Sequence, residues 1–271
     1  MKLKNNKTFI IAEIGINHNG SLPLAFKLIN SAKRAGADAV KFQTYITEER
    51  APKNSPIFNI LKKCELSFED FKKIKIYCDK KKIEFFSTPF DIKSFNFLRS
   101  IKTKKIKIAS FDTVNIKFLK YMSNFEMDYI LSVGMSNLSE IKKAFNILSN
   151  KGKNSVNILH CISAYPTKEN EANLNCIDIL KKKFDCLVGQ SDHTNDIFVS
   201  QCAVAKGARI IEKHYKLHSK FKCVDEAVSI DENKFKDMVK NIRRIEKILG
   251  NSSFGIRKSE KNTSVYRRKS R

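Results

Sequence analysis

The chain has 271 residues, of which 42% are hydrophobic, and its formal net charge is +24. This length and apolar content are enough to bury one large core. No apolar run approaches the roughly 20 residues of a membrane span, and Glu13 interrupts the N-terminal apolar patch too early for a signal peptide. We therefore expect a cytoplasmic protein with no membrane partner.

The cysteines and the excess of lysine are both spread along the whole chain. The seven cysteines are odd in number and never spaced as C-x-x-C, which argues against a disulfide framework and against a zinc site. The lysines alternate with apolar positions at helical spacing, Trp is absent and no nucleic-acid-binding motif occurs. The charge therefore predicts a lysine-rich solvated surface and no nucleic-acid partner.

Short apolar, β-rich runs alternate with amphipathic stretches from the N-terminus onward. Strands are predicted at 9–14, 39–44, 84–89, 105–110, 129–134, 157–162, 186–191 and 209–214. Helices are predicted between them, for example at 22–35, 67–82, 137–149 and 196–206, and a final helix over 231–249 ends at Gly250. Asn137 and Ser139 offer capping groups to the helix at 137–149. Nearly continuous apolar strands separated by helices indicate a parallel sheet buried on both faces.

Eight such units in about 250 residues have the rhythm of an α/β protein with a (β/α)₈ TIM barrel, and an open doubly wound sheet is the alternative. Polar residues at the strand ends favour the barrel, because only a barrel brings every carboxyl end to one mouth. They include Glu13, Lys41, Gln43, Thr88, Lys107, Ser110, Ser132, His160, Ser191, His193, Glu212 and His214. We expect a catalytic barrel over residues 1–250 and a basic tail or linker over 251–271.

The last predicted strand, "RIIEKH", places charged residues directly after apolar ones. Because side chains alternate along a strand, Ile210, Glu212 and His214 share one face. If that face points into the mouth, His214 lies near His193 of the preceding strand. Two imidazoles with water and substrate suit Mn²⁺, Fe²⁺, Co²⁺ or Zn²⁺, and a purely structural hydrogen-bonding role is an equal alternative.

The segment "IIAEIGINHNG" at 10–20 resembles the opening signature of the sialic acid synthase family. Further matches follow in order: "GADAVKFQT", "FFSTPFD", "KIAS", "LSVGMSN", "LHCISAYP", "GQSDHT", "IIEKHY" and "VDEAVSI", so the resemblance covers about residues 8–268. It implies a (β/α)₈ barrel that condenses phosphoenolpyruvate with an N-acetylated aminosugar, such as N-acetylmannosamine. The products would be a nonulosonic acid and phosphate.

The resemblance also implies roles for individual residues. Metal ligands would be His193 and His214, and phosphoenolpyruvate contacts would be Lys41, Lys107, Ser110, Ser132 and Ser191. Sugar contacts would be Asn17, Gln43, Asp112, Tyr165 and Asp225. Glu13 resembles the central carboxylate that stabilises a cation at C2 or takes the proton of the attacking water. The implied cofactor is a divalent metal, Mn²⁺ first, with Mg²⁺ or Co²⁺ as alternatives, which polarises the sugar aldehyde.

Some features depart from the family pattern. Relatives usually continue into a small antifreeze-like domain whose arginine enters the partner's active site. We expect that domain to be absent here, which leaves a homodimer open. Phe111 and Asp112 leave the aminosugar open as well, so a pseudaminic- or legionaminic-type synthase is an alternative.

Three further functions compete with this assignment. One is a related phosphoenolpyruvate-dependent synthase of shorter sugar acids, against which the N-terminal signature argues. A second is a barrel that has lost catalysis and serves as a scaffold. A metal-dependent hydrolase fits less well, because the first strand carries no His-x-His pair.

Overall fold

Eight parallel strands form one closed barrel in sequence order in this computed structural model, which describes residues 7–268. The strands are β1 Phe9–Gly15, β2 Ala39–Thr44, β3 Glu84–Pro89, β4 Lys105–Ile108, β5 Asp128–Ser132, β6 Ser155–His160, β7 Val188–Asp192 and β8 Ile210–His214. The barrel closes where β8 pairs with β1. The predicted TIM barrel is confirmed, and the open-sheet alternative is wrong.

Helices surround the barrel and connect successive strands. They are α1 Leu22–Arg34, α2 Thr47–Arg50, α3 Phe58–Cys64, α4 Phe68–Lys81, α5 Ile92–Ser100, α6 Ile116–Ser123, α7 Leu138–Ser149, α8 Cys176–Lys183, α9 Phe198–Ala205 and α10 Glu232–Leu249. Asn137 and Glu140 form a capping box at the start of α7, as predicted for Asn137, whereas Ser139 lies inside the helix. No helix in the described part of the chain is long and apolar enough to cross a membrane.

Two apolar layers hold the strands in place. The outer layer lies between strands and helices, and it contains most of the buried apolar residues. The inner layer fills the barrel and consists of Ile11, Ala39, Phe86, Ile130, Leu159 and Ile210. Because Ile210 belongs to the inner layer, the alternation along β8 directs Glu212 and His214 inward, which meets the condition under which the sequence places His214 near His193. The inner apolar layer therefore forms the floor of any site at the carboxyl ends of the strands.

Several strands end earlier than the sequence predicts. β4 ends at Ile108 and not at 110, because Ser110 begins a 3₁₀ turn in which the Asp112 amide donates to the Ala109 carbonyl at 3.0 Å. β6 is shifted toward the N-terminus and ends at His160. At both positions the chain turns into a loop over the mouth, so Ser110 is held by a turn and not by the sheet.

Residues 251–268 contain two short 3₁₀ helices and expose nearly all of their side chains. Phe254, Ile256 and Tyr266 are among the exposed apolar residues. The division into a barrel and a tail stays a prediction, and its ends at residues 1–6 and 269–271 lie outside the described residues.

The stability of the barrel is expected to fall between about pH 6.5 and pH 4. His18, just after β1, is buried against Phe42, and its Nδ1 accepts a hydrogen bond from the Gly20 amide at 3.2 Å. Burial lowers the pKa of His18 to about 4, whereas the unfolded chain has the ordinary value near 6.5. With the folded pKa depressed, the unfolded state binds the proton first, so stability is full above about pH 6.5 and is lost as the pH falls toward 4.

Urea midpoints measured from pH 7.5 to pH 4 test this expectation. His18→Asn keeps an acceptor for Gly20 and should reduce the slope of stability against pH by about one proton in that range. His218→Gln, which replaces an exposed histidine, serves as the matched control. A His18→Asn profile as steep as the wild type would show that His18 does not cause the loss.

Candidate active site

A cavity of about 270 Å³ opens at the carboxyl ends of the strands. Every strand, or the residue just after it, contributes to the lining: Glu13, Lys41, Gln43, Thr88, Lys107, Ser132, Cys161, Ser191, His193, Glu212 and His214. Ser110, Tyr165 and Asp225 line it from the loops. The convergence that favoured a barrel over an open sheet is therefore present in the structure.

The strand register brings acid, base and imidazole together. Glu13 on β1 lies opposite Lys41 on β2 and opposite His214 on β8. Ser191 on β7 lies opposite Glu212 on β8. Gly189 permits this close approach, because a Cβ there would lie 2.2 Å from the Ile210 carbonyl oxygen. The site is thus assembled across the seam where the first and last strands meet.

Two lysines and two carboxylates form a buried cluster of charges in the cavity. Lys41 Nζ lies 2.8 Å from Glu13 Oε1 and 3.7 Å from Glu212 Oε1, and Lys107 Nζ lies 3.6 Å from the same Glu212 oxygen. Ser191 donates a hydrogen bond to Glu212 at 2.9 Å. A buried charge is tolerated only when it is paired, and these four groups balance one another.

The charge cluster holds its two carboxylates in different states. Burial raises the pKa of Glu13, and Lys41 only partly opposes this effect. Burial alone would also raise the pKa of Glu212, but Lys107 and Lys41 hold it at about 2. Glu212 is therefore a permanent anion at neutral pH, whereas Glu13 is the carboxylate closer to taking up a proton.

The two lysines also differ. Burial tends to lower the pKa of Lys41, but Glu13 and Glu212 leave it above its ordinary value. Burial lowers the pKa of Lys107, which has Glu212 as its nearest counter-charge and donates to the Ser132 hydroxyl at 2.6 Å. Lys107 is consequently the less compensated cation of the pair.

His193 and His214 lie side by side, with ring centroids 5.5 Å apart. His193 Nδ1 donates to the Ile162 carbonyl at 2.7 Å, which leaves the lone pair of Nε2 facing Ser191 Oγ at 3.3 Å. Burial lowers the pKa of His193 to about 4, so its ring is neutral at pH 7. His214 Nδ1 lies 3.3 Å from Asp225 Oδ2 without the alignment of a hydrogen bond.

These features fit a metal held by two histidines. Metal-binding histidines usually donate their second nitrogen to a carbonyl or carboxylate, as His193 does to Ile162. Within residues 7–268, no group of three or more His, Cys, Asp or Glu side chains is arranged to hold an ion. Any ion at His193 and His214 would therefore complete its coordination with water or substrate.

The structure brings most of the predicted sugar contacts to the mouth, but not all of them. Tyr165 stacks on His193 at a centroid distance of 4.3 Å, and Gln43 Nε2 donates to Glu13 at 3.5 Å. Asn17 does not line the cavity: its side chain is fully buried and bonded to Tyr215, Ser229 and the Asp225 amide. Its amide groups are therefore used to hold the loop that carries Asp225.

Asp112 also lies outside the cavity lining, where its Oδ1 accepts a hydrogen bond from Asn115 Nδ2 at 3.0 Å. The 3₁₀ turn after β4 carries it to the rim, while Ser110 at the start of that turn does line the cavity. Ser110 exchanges a hydrogen bond with Ser163 at 2.7 Å.

Two residues of the site received no role in the sequence-based assignment. Glu212 is predicted at the carboxyl end of β8 on the same face as His214, but no contact or chemical role is assigned to it there. Arg50, which lines the cavity and donates to Gln43 Oε1 at 3.0 Å, lies at the end of α2. Arg50 lies outside the predicted strands, so the alternation of side chains along a strand could not place it at the cavity.

Lys213, between Glu212 and His214, points away from the cavity. It is fully buried behind the barrel, where its Nζ lies 3.2 Å from Asp192 Oδ2 and donates to the Thr194 carbonyl at 2.6 Å. Asp192 in turn accepts from the Thr194 amide at 2.9 Å. The Lys213–Asp192 pair therefore fixes the turn that follows β7 and carries His193.

Comparison with known proteins identifies the family to which this barrel and its cavity belong. The NeuB family profile matches residues 28–254. The chain belongs to the NeuB family. Its relatives include an N,N'-diacetyllegionaminic acid synthase of Campylobacter jejuni, 38% identical over 97% of this chain and 84% of the relative. An uncharacterised protein of Methanocaldococcus jannaschii is 42% identical over 98% of this chain and 79% of its own length.

Solved structures agree with the NeuB assignment. The N-acetylneuraminic acid synthetase of Leptospira borgpetersenii, crystallised with citrate, is 39% identical and superimposes with a TM-score of 0.93, covering 98% of this chain and 95% of that one. The chain is thus a NeuB-family enzyme of the nonulosonic acid synthase type, and the resemblance noted in the sequence is confirmed.

Proposed function

We propose that the protein condenses phosphoenolpyruvate with a neutral N-acylated aminosugar to give a nonulosonic acid and phosphate. The observation that carries the proposal is the balanced cluster of Glu13, Glu212, Lys41 and Lys107 beside two imidazoles in one cavity. Anion-binding cations and a carboxylate of raised pKa are what this condensation requires. Intact polar groups throughout the cavity argue against a scaffold that has lost catalysis.

Lys107 and Lys41 would hold phosphoenolpyruvate, and the hydroxyls of Ser110, Ser132 and Ser191 would donate hydrogen bonds to its oxygens. Phosphoenolpyruvate brings about three negative charges, and charge-assisted contacts of this kind are the strong ones. Its arrival disturbs the internal balance of the cluster. The group best able to restore the balance is a carboxylate of raised pKa, since it can take up a proton.

Glu13 would therefore move the proton of the reaction. The methylene carbon of phosphoenolpyruvate attacks the aldehyde carbon, and the carbonyl oxygen becomes a hydroxyl by taking up one proton. Water adds at C2 and releases one proton, after which the C–O bond to phosphate breaks and the proton of the new C2 hydroxyl passes to the departing phosphate. One proton is taken up and one is released, so a single buried carboxylate can serve both steps. Oε1 of Glu13 forms the ion pair with Lys41, whereas its Oε2 has no hydrogen-bond partner within the described residues.

His193 and His214 are proposed to hold a divalent ion, Mn²⁺ in the first instance. When bound there, the ion would supply Lewis-acid polarisation of the sugar aldehyde. The residues' own contribution is orientation: the Ile162 carbonyl fixes the ring of His193, and Tyr165 stacks on its face.

The experiment that tests the proposal is product identification by mass. Purified protein is incubated with phosphoenolpyruvate, Mn²⁺ and a panel containing N-acetylmannosamine, its 6-phosphate, and 2,4-diacetamido-2,4,6-trideoxymannose. Release of phosphate with formation of a nine-carbon keto acid is expected from a neutral acylated sugar. Failure of every acceptor to release phosphate above the rate without acceptor would overturn the proposal.

Lys107→Met is expected to weaken phosphoenolpyruvate binding at least about tenfold, and because it also removes a counter-charge of the buried Glu212, some loss of folding stability accompanies it. The substitution keeps most of the apolar stem and removes one charged hydrogen bond, typically worth about 1.5–3 kcal/mol. Titration calorimetry with phosphoenolpyruvate measures the loss. Lys105→Met is the matched control, because Lys105 on the same strand pairs with Glu84 at the opposite end of the barrel. A lower melting temperature with unchanged affinity would instead assign Lys107 a structural role.

A further inference from the structure

Arg50 places a guanidinium at the rim of the cavity, on the side of β2. Its guanidinium carbon lies 3.6 Å from the centroid of the Phe90 ring and 4.6 Å from that of Tyr45. Stacking on two aromatic rings holds the planar group in a defined orientation. The group is partly buried and lines the cavity, so it is directed at whatever occupies the mouth.

Most of the hydrogen-bonding capacity of Arg50 is unused. Arginine carries five N–H donors, and the hydrogen bond from Nη1 to Gln43 Oε1 at 3.0 Å uses one. Among residues 7–268, Arg50 takes part in no ion pair within 4.0 Å. Such a group, oriented and without a carboxylate of its own, is prepared to donate to a ligand oxygen.

The surroundings of Arg50 indicate which kind of ligand oxygen accepts its hydrogen bonds. Ile57, Ile60, Leu61 and Val224 make this part of the lining apolar. Asp225 and Asp112 lie within electrostatic reach and already offset the single positive charge. A dianionic phosphate would meet two carboxylates here and only one cation. A neutral carbonyl with an attached methyl group matches both the donors and the apolar surface.

We infer that Arg50 is a specificity-determining residue that donates hydrogen bonds to the carbonyl oxygen of an acylamino group on the acceptor sugar. The inference rests on the proposed function and names its acceptor: a neutral sugar recognised by its acyl group. Arg50 also orients Gln43, since the amide oxygen faces Arg50 and the amide nitrogen faces Glu13. Recognition of the acyl group is thereby connected to the carboxylate proposed to move the proton.

The test compares pairs of acceptors that differ by one acetamido group. These are N-acetylmannosamine against mannose, and 2,4-diacetamido-2,4,6-trideoxymannose against its 4-hydroxy analogue. For the pair that the wild type discriminates, the relevant ratio is kcat/KM for the acceptor with the acetamido group divided by kcat/KM for the acceptor without it. This ratio should fall at least about tenfold in Arg50→Met, which is the scale of one charged hydrogen bond. KM for phosphoenolpyruvate should stay within about twofold. Arg50→Lys, which keeps the charge without the planar fork, should lose most of the same ratio.

Arg99→Met is the matched control, because Arg99 stacks on Phe125 at 3.5 Å at the end of α5, away from the mouth. The ratio of two acceptors does not depend on how much of a variant is folded, so a destabilised Arg50→Met remains informative. An unchanged ratio in Arg50→Met would overturn the inference. It would also be overturned if the wild type preferred N-acetylmannosamine 6-phosphate and Arg50→Met lost that preference. A wild type inactive with every acceptor would instead overturn the proposed function.

Discussion

Glu13→Gln is expected to lower kcat by roughly 10²–10⁴-fold, the usual contribution of a positioned general acid or base. The amide keeps the shape of the side chain and an acceptor for Lys41, but it cannot exchange a proton. It also leaves the charge of Lys41 less compensated, so the KM for phosphoenolpyruvate should stay the same or decrease. Steady-state phosphate release, measured at saturating acceptor, separates the two parameters.

The matched control for Glu13→Gln is Glu84→Gln, which removes a carboxylate from a second lysine pair at the far end of the barrel. It should leave kcat unchanged. If Glu13→Gln kept full kcat and lost only thermal stability, Glu13 would be a counter-ion of Lys41 and another group would move the proton.

Chelation is expected to reduce phosphate release on the order of 10³-fold, and Mn²⁺ should restore it. Polarisation of a carbonyl by a metal contributes several kcal/mol to a transition state, which corresponds to this magnitude. His214→Ala should behave like the chelated wild type and should not be restored by Mn²⁺. Binding of Mn²⁺ followed by electron paramagnetic resonance gives a readout that does not depend on turnover.

His160→Gln provides the control for the histidine substitution. His160 ends β6, is buried, and its Nε2 contacts the Ala172 carbonyl at 2.8 Å, away from the cavity lining. This variant should keep its response to Mn²⁺ even if it is less stable. Full activity in demetallated wild-type protein would rule out the metal and leave His193 and His214 as hydrogen-bonding residues only.

The strands carry most of what could be predicted. Period-two alternation places Glu212 and His214 inside the barrel, because Ile210 on the same face must reach the inner core. The eight apolar runs predict eight strands for the same reason: each must be buried on both faces. The alternation and the apolar runs can be read from a few neighbouring residues, and both are required because the strands are buried.

The loops carry what could not be predicted. Asn17 reads as a polar residue next to a strand end, and only the fold shows that Tyr215 and Ser229, about 200 positions later, take up its side chain. Arg50 reads as one basic residue among the 52 lysines and arginines of the chain. Its role depends on stacking against Phe90, a contact between the end of α2 and the residue after β3 that no periodicity encodes.

The candidate active site is complete only when β8 pairs with β1 and closes the barrel. Glu13 and His214 come from opposite ends of the barrel sequence and become neighbours only when that last edge is sealed. A nascent chain that lacks β8 therefore has no assembled site, whatever part of the sheet has already formed. In the folded protein, opening at this one seam would separate Glu13 from His214 and abolish turnover, even if the remaining strand pairs and helices stayed intact.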